Sequence, residues 1–240
     1  MVRIDAAGVA YRDLNEKLRK SAGEIHLVGC CGQGYIAAGM ADKTITIDGI
    51  PGNALGAYLN GASVAVRGNA QDAVGDTMND GEIIIHGSIG DAAGYAMRGG
   101  KLFVKGNAGY RAGIHMKAYQ DKVPLLVIGG CAGSFLGEYQ AGGVIVVLGL
   151  ESQGKPLVGC FPCTGMHGGK VFLRSDCCDV NFPSQVMACP ANAEDREELA
   201  AYVSEYGKLF DYDVDAVLDA PFTVVKPHSK NPYTQMYVAN

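Results

Sequence analysis

Short runs of alternating polar and apolar residues recur along the chain, each closed by glycine: TITIDG from Thr44, SVAVRG from Ser63, EIIIHG from Glu82 and KLFVKG from Lys101. The apolar pairs Ile45/Ile47, Val64/Val66, Ile83/Ile85 and Leu102/Val104 keep one phase, 19 residues apart. Alternation with period two marks a strand with one buried face. A four-residue strand ended by glycine leaves no room for the crossover of about a dozen residues that joins ordinary parallel strands. The chain is therefore predicted to turn at each glycine and lay strand upon strand, as a parallel β-helix.

The column extends in both directions. Leu126/Ile128 follows after 24 residues, Ile145/Val147 after 19 and Val171/Leu173 after 26, and His26/Val28 is placed 19 before Ile45. Eight rungs at ~4.8 Å spacing make a column of roughly 34 Å. The long intervals contain HMKAYQDKVP and LESQGKPLVGCFPC, which read as loops thrown out at a corner. Gly56, Gly75, Gly94 and Gly113 share the 19-residue beat, as do Met40, Leu59, Met78, Met97 and Met116, which are expected to stack as an internal ladder. Gln140 stands where that ladder calls for methionine. Outside the repeat, Tyr11, Leu14 and Leu18 mark a short amphipathic helix. After Asp176, Asn192 is a predicted N-cap with Asp195 at N3, and Leu199, Val203, Tyr206 and Phe210 follow at helical spacing. A second short helix is expected from Asp213, then a strand over Phe222–Lys226. The expected organisation is one structural domain: an N-terminal helical cap over 1–24, a β-helix of about seven coils over 25–175 and a helix–strand extension over 176–240.

Composition narrows the picture. Glycine is the outlier, 34 of 240 residues, against a usual share of about 7%. A helical repeat is excluded by this density, since each interior glycine costs a helix about 1 kcal/mol. Net charge is −5 with no concentrated basic face, so no nucleic-acid footprint is expected. No apolar run approaches the roughly 18 residues of a membrane span, and the N-terminus lacks the apolar segment of a signal peptide, so a cytoplasmic chain with free thiols is expected.

Several motifs invite chemistry. Gly32-Gln-Gly34-Tyr-Ile-Ala37 has the spacing of a dinucleotide fingerprint, but no helix fits before the strand at Thr44. Cys160 and Cys163 form a CxxC, with Cys177, Cys178 and Cys189 nearby; they are the candidates for a metal or redox site, which needs about four converging thiolates. No hydrolase elbow or HExxH motif is present. Tyr110, Arg111, His115 and Lys117 form a polar cluster round one corner, with Arg98 at a nearby phase and His167 beside methionine in the manner of His115. These six read either as a contact for a partner or anionic ligand, or as a solvated rim.

The segments Gly68–Gly75, Gly94–Gly100, Gly109–Lys117, Gly137–Gly143 and Gly165–Gly169, with the ending Pro221–Tyr233, resemble the GXGXG domain of glutamate synthase, above all its stand-alone form in archaeal-type and N-methylglutamate-synthase-like systems. The resemblance implies a right-handed β-helix without catalytic, cofactor-binding or metal-binding residues of its own. It implies packing between a glutaminase-like subunit and an FMN-dependent synthase subunit, with the FMN and an iron–sulfur cluster in those partners. The β-helix subunit of formylmethanofuran dehydrogenase is the alternative within this class, and a metal or redox protein built on Cys160–Cys189 is the alternative outside it. Self-association through the open ends of the solenoid stays open.

Overall fold

A computed structural model describes residues 1–150, 152 and 154–228. The end of the Pro221–Tyr233 segment, and Glu151 and Gln153 of the second inserted loop, lie outside the described residues. The chain forms one 11-stranded sheet wound as a β-solenoid. Strands β1 (Val2–Asp5), β2 (Glu24–Cys31), β3 (Thr44–Ile50), β4 (Asn60–Val66), β5 (Asp80–Ile85), β6 (Lys101–Val104), β7 (Leu125–Ile128), β8 (Ala141–Val147) and β9 (Gly168–Leu173) pair in sequence order, all parallel. Two antiparallel strands, β11 (Thr223–Pro227) and β10 (Val186–Pro190), extend the far edge.

From β3 onward the register matches the predicted column: Ile45, Val64, Ile83, Leu102, Leu126, Ile145 and Val171 face one another in succession. The first rung differs. Ile25 and Leu27, not His26 and Val28, lie beneath Ile45 and Ile47 and are buried, so this interval is one residue longer than the beat. Carrying the 19-residue count back across Gly29–Cys31, where the β2–β3 register shifts, selects the wrong parity, and one residue of slip turns a strand inside out. The N-terminal segment also does more than cap. Its helix α1 (Tyr11–Lys20) buries Leu14 and Leu18, but β1 precedes it and adds a ninth parallel rung.

Inside the solenoid, Met40, Leu59, Met78, Met97, Met116, Gln140 and Met166 form a single buried stack. A second core lies outside it. Phe103, Val127, Val146 and Phe172 alternate with the inward residues and carry α2 (Ala193–Phe210), which buries Leu199, Val203, Tyr206 and Phe210 against them. Asn192 caps α2 through its side chain to the Asp195 amide at 2.9 Å, and Asp213 caps α3 (Val214–Leu218). Lys101 bonds Glu205 at 2.6 Å, and Lys170 and Lys226 both reach Asp195, at 3.4 and 2.7 Å.

At one corner, side-chain oxygens cap the next coil. Asn53, Asp72 and Asp91 each accept the backbone N–H found 19 residues on, at 3.2, 2.9 and 2.8 Å, and Asn69 and Ser88 do the same one column away. The glycines of the repeat make room for these caps: a Cβ on Gly90 would stand 2.0 Å from Asp72 Oδ1. Gly90→Ala is expected to destabilise the fold by about 1–3 kcal/mol through this overpacking, with less than additive loss when combined with Asp72→Ser; urea denaturation measures both.

Asp195 generates a pH prediction. Burial alone would raise its pKa, but hydrogen bonds and charge from Lys226 and Lys170 outweigh burial and hold the carboxyl below its ordinary value. A depressed folded-state pKa contributes stability above the unfolded value of about 3.9, and that stability is lost as pH falls through the folded value. Acid denaturation of Asp195→Asn should therefore show a smaller loss of stability below about pH 4 than the parent chain.

Candidate functional site

Past the capping corner, each coil crosses the face opposite the strands in a run of left-handed residues. The outer positions are Tyr35, Ala54, Ala73, Ala92, Arg111, Phe135 and Phe161, with φ between 55° and 62°. Four residues further on come Gly39, Tyr58, Thr77, Ala96, His115, Tyr139 and Gly165, also at positive φ. Such a conformation costs a non-glycine residue on the order of 1–3 kcal/mol. Hydrogen bonds between coils offset it: Arg111 N–H donates to Ser134 O and His115 N–H to Glu138 O, both at 2.9 Å, and the same bonds recur along the columns.

The larger side chains at these positions, Tyr35, Tyr58, Arg111, His115, Tyr139 and Phe161, are exposed and build a ridge along the solenoid. His115 stacks on Tyr139 at 5.2 Å and 10°, and Tyr95 meets the other side of His115 edge-on at 5.9 Å. Arg111 lies over the Phe135 ring at 5.1 Å and bonds Glu138 at 3.2 Å, and Phe135 stacks on Phe161. Tyr58, Tyr110 and Phe161 remain more than half exposed. Arg98 and Lys117 occupy one column on adjacent coils, each just past the methionine stack, and neither forms an ion pair with a described residue. Of the six contact candidates, Arg111 and His115 stand in the ridge columns with Tyr110 adjoining, whereas Arg98, Lys117 and His167 share the column just past the buried stack. His167 lies half-buried two coils beyond His115, its Nδ1 3.0 Å from Gly165 O. Sequence reasoning missed Tyr58, Tyr95, Phe135, Tyr139 and Phe161. The 19-residue alignment holds their signal, since bulky aromatics recur at positions where other coils carry alanine, glycine or threonine. Exposed aromatics with arginine are the composition of protein–protein contact surfaces.

The cysteines distribute otherwise. Cys163 takes the inner left-handed position held by Gly56, Gly75, Gly94, Gly113 and Gly137 in other coils; it is fully buried, and burial pushes its thiol pKa up to about 12. Burial also raises the Cys177 pKa. Cys160 and Cys178 are exposed, and Cys189 sits on β10. Cys160, Cys177 and Cys178 line a cavity of about 700 Å³ walled by residues 154–162 and 175–181. Among the described residues, no group of three or more His, Cys, Asp or Glu side chains is placed to hold a metal ion. In native protein, maleimide is expected to label Cys160 and Cys178 fast and to reach Cys163 only with unfolding; mass spectrometry of the labelled peptides checks the order.

A third polar group stands on the outer strand face that α2 leaves uncovered. His26 Nε2 lies 2.7 Å from Asp48 Oδ2, and Arg67 reaches Asp48 at 3.5 Å.

The fold and its glycine-capped corners define a β-solenoid whose repeats serve the backbone first, with exposed chemistry gathered on the ridge. The model of the GXGXG motif family matches residues 16–228, and the chain belongs to that family. It is also 44% identical over 250 residues to the uncharacterized protein MJ1350 of Methanocaldococcus jannaschii, an alignment covering 98% of this chain and 96% of the relative. No described helix is long and apolar enough to cross a membrane.

Proposed function

We propose that the chain is a non-catalytic assembly subunit of a glutamate-synthase-like oxidoreductase complex, held between an FMN-dependent synthase subunit and a glutaminase-like subunit and serving glutamate or N-methylglutamate formation in the cytoplasm. The observation that carries this reading is the GXGXG family match over residues 16–228. The structure supports it in kind. The repeat's polar side chains are spent on capping backbone groups of the next coil, which is scaffold work. A scaffold between two partners also needs more than one contact surface. The ridge and the uncovered strand face around His26, Asp48 and Arg67 lie on different sides of the solenoid. On this reading the flavin and an iron–sulfur cluster belong to the synthase subunit, and the cysteines of this chain are structural thiols.

Co-expression with the FMN-dependent synthase-like and glutaminase-like proteins of the same genome tests the proposal. The expected outcome is a complex with flavin absorbance, whose glutamine-dependent formation of glutamate falls at least ~10-fold when this chain is omitted. A synthase that keeps full activity alone and never associates with this chain would sink the idea.

A further inference from the structure

Three peptide bonds join an aspartate or asparagine to glycine: Asp48-Gly49, Asn60-Gly61 and Asp80-Gly81. At such a bond the glycine nitrogen can attack the preceding side-chain carbonyl carbon, because no Cβ on the glycine hinders the approach. Ring closure also needs room for the peptide to turn and a side chain that is not an ionised carboxylate. Gly49 and Gly81 lack the room: a Cβ on either would run into a backbone oxygen, of Cys30 and of Ala62 respectively. Around the Cβ position of Gly61 nothing lies within 4 Å, and Asn60 and Gly61 are both exposed.

Asp80 displays the geometry from which such an attack starts. Its Oδ1 accepts the N–H of Gly81 at 2.8 Å, which sets the carboxyl carbon close to that nitrogen. Its charge forbids the reaction. Lys122, bonded to Oδ2 at 2.7 Å, and the Gly81 N–H hold the carboxyl below the ordinary carboxylate range, and a carboxylate resists a nucleophile. Asn60 is the residue paired with Asp80 on the preceding coil, and Gly61 shares the positive φ of Gly81, 120° against 97°. Asn60 thus has a comparable backbone setting with a neutral carboxamide, from which ammonia can leave.

We propose that Asn60 is a site of spontaneous deamidation in the folded chain. Hydroxide removes the Gly61 amide proton, the nitrogen bonds to Asn60 Cγ, and ammonia leaves to give a cyclic imide. Water then opens the ring at one carbonyl or the other, leaving aspartate or isoaspartate. The balance is one water consumed and one ammonia released, with no oxidation or reduction. Either product sets a carboxylate beside Asp80 in the β4–β5 ladder, where like charges oppose each other. Isoaspartate also lengthens the backbone by a carbon at Asn60, whose N–H donates to Met40 O at 2.9 Å. The reaction therefore loosens the solenoid at this pairing as the protein ages. It needs no other subunit and stands or falls separately from the assembly role.

Incubation of the folded full chain at neutral and mildly alkaline pH, followed by peptide mass spectrometry with fragmentation, tests it. Asn60 is expected to gain the mass of an amide-to-acid exchange at least ~10-fold faster than Asn53, Asn69 or Asn107, each followed by alanine. The rate should rise with hydroxide concentration. Asn60→Gln, which keeps the amide but moves its carbon one bond further from the nitrogen, should abolish the gain at this position. Asn60→Asp supplies the product's charge and is expected to melt below the wild type, by a margin that shrinks at high salt. Circular dichroism confirms that both variants are folded. An Asn60 that reacts no faster than the other three asparagines overturns the proposal. So does one that reacts ~10-fold more slowly in the folded chain than in the urea-unfolded chain, since the coil then shields the bond.

Discussion

No coil of this protein satisfies its backbone alone; some N–H groups close turns within the coil, as Met116 does to Gly113 O at 3.1 Å, and the others find partners one coil above or below. In the strands this is ordinary parallel pairing. Across the ridge the direction alternates within a few residues: Arg111 N–H donates forward to Ser134 O, while Gly113 N–H donates back to Ala93 O at 2.7 Å. Alternation requires left-handed backbone at both outer and inner positions. The inner column faces the core, where space varies from coil to coil: a Cβ on Gly113 would stand 2.3 Å from Ile145 Cδ1, on Gly75 and Gly94 it would make ordinary contacts at 3.7 Å, and Ala37 and Cys163 carry one at this position. The outer columns face solvent and accept Tyr, Arg, His and Phe. One hydrogen-bonding rule therefore produces both the glycine beat and the exposed ridge.

The same sheet has a second face, and it is used unevenly. Over β6–β9 it is apolar and buried beneath α2, clamped by Lys101–Glu205 and by Asp195 between Lys170 and Lys226. Over β2–β4 it carries His26, Thr46, Asp48 and Arg67, none of them buried. Half of the sheet is thus closed by the chain's own helix, and the other half is left to solvent or to another protein. Polar, partly ion-paired strand faces suit contacts that form and release more readily than an apolar core does.

Much of this architecture was legible in the sequence because the solenoid imposes one phase on seven consecutive rungs, so a single alignment serves them all. It failed where the chain departs from the beat. At β2 the parity had to come from residue type, and Ile25 and Leu27 are the better core pair beside His26 and Val28. β1 is four residues long, too short for periodicity to register. The helix-covered face did leave a signal: Leu125-Leu-Val-Ile128 and Val144-Ile-Val-Val147 are apolar throughout, as strands buried on both sides are. The left-handed Arg111, Phe135 and Tyr139 left none of that kind, because their conformation comes from neighbouring coils and not from their own propensity.

Gln140 shows how a departure from the repeat can serve it. An amide between Met116 and Met166 breaks an otherwise apolar stack and leaves its Oε1 buried without a partner. The β8–β9 register shifts just after it, between Ala141 and Val144, as the β4–β5 register shifts between Asn60 and Ser63 just after Leu59; Gln140 stands at the coil that precedes the 26-residue interval. Gln140 Nε2 reaches the Gly142 and Gly143 carbonyls at 3.3 and 3.1 Å, within that shift. A methionine would fill the same volume but offer no donor to these carbonyls, and the amide gains these bonds at the cost of its buried Oε1. The amide thus adds side-chain bonds to the backbone where the β8–β9 register shifts.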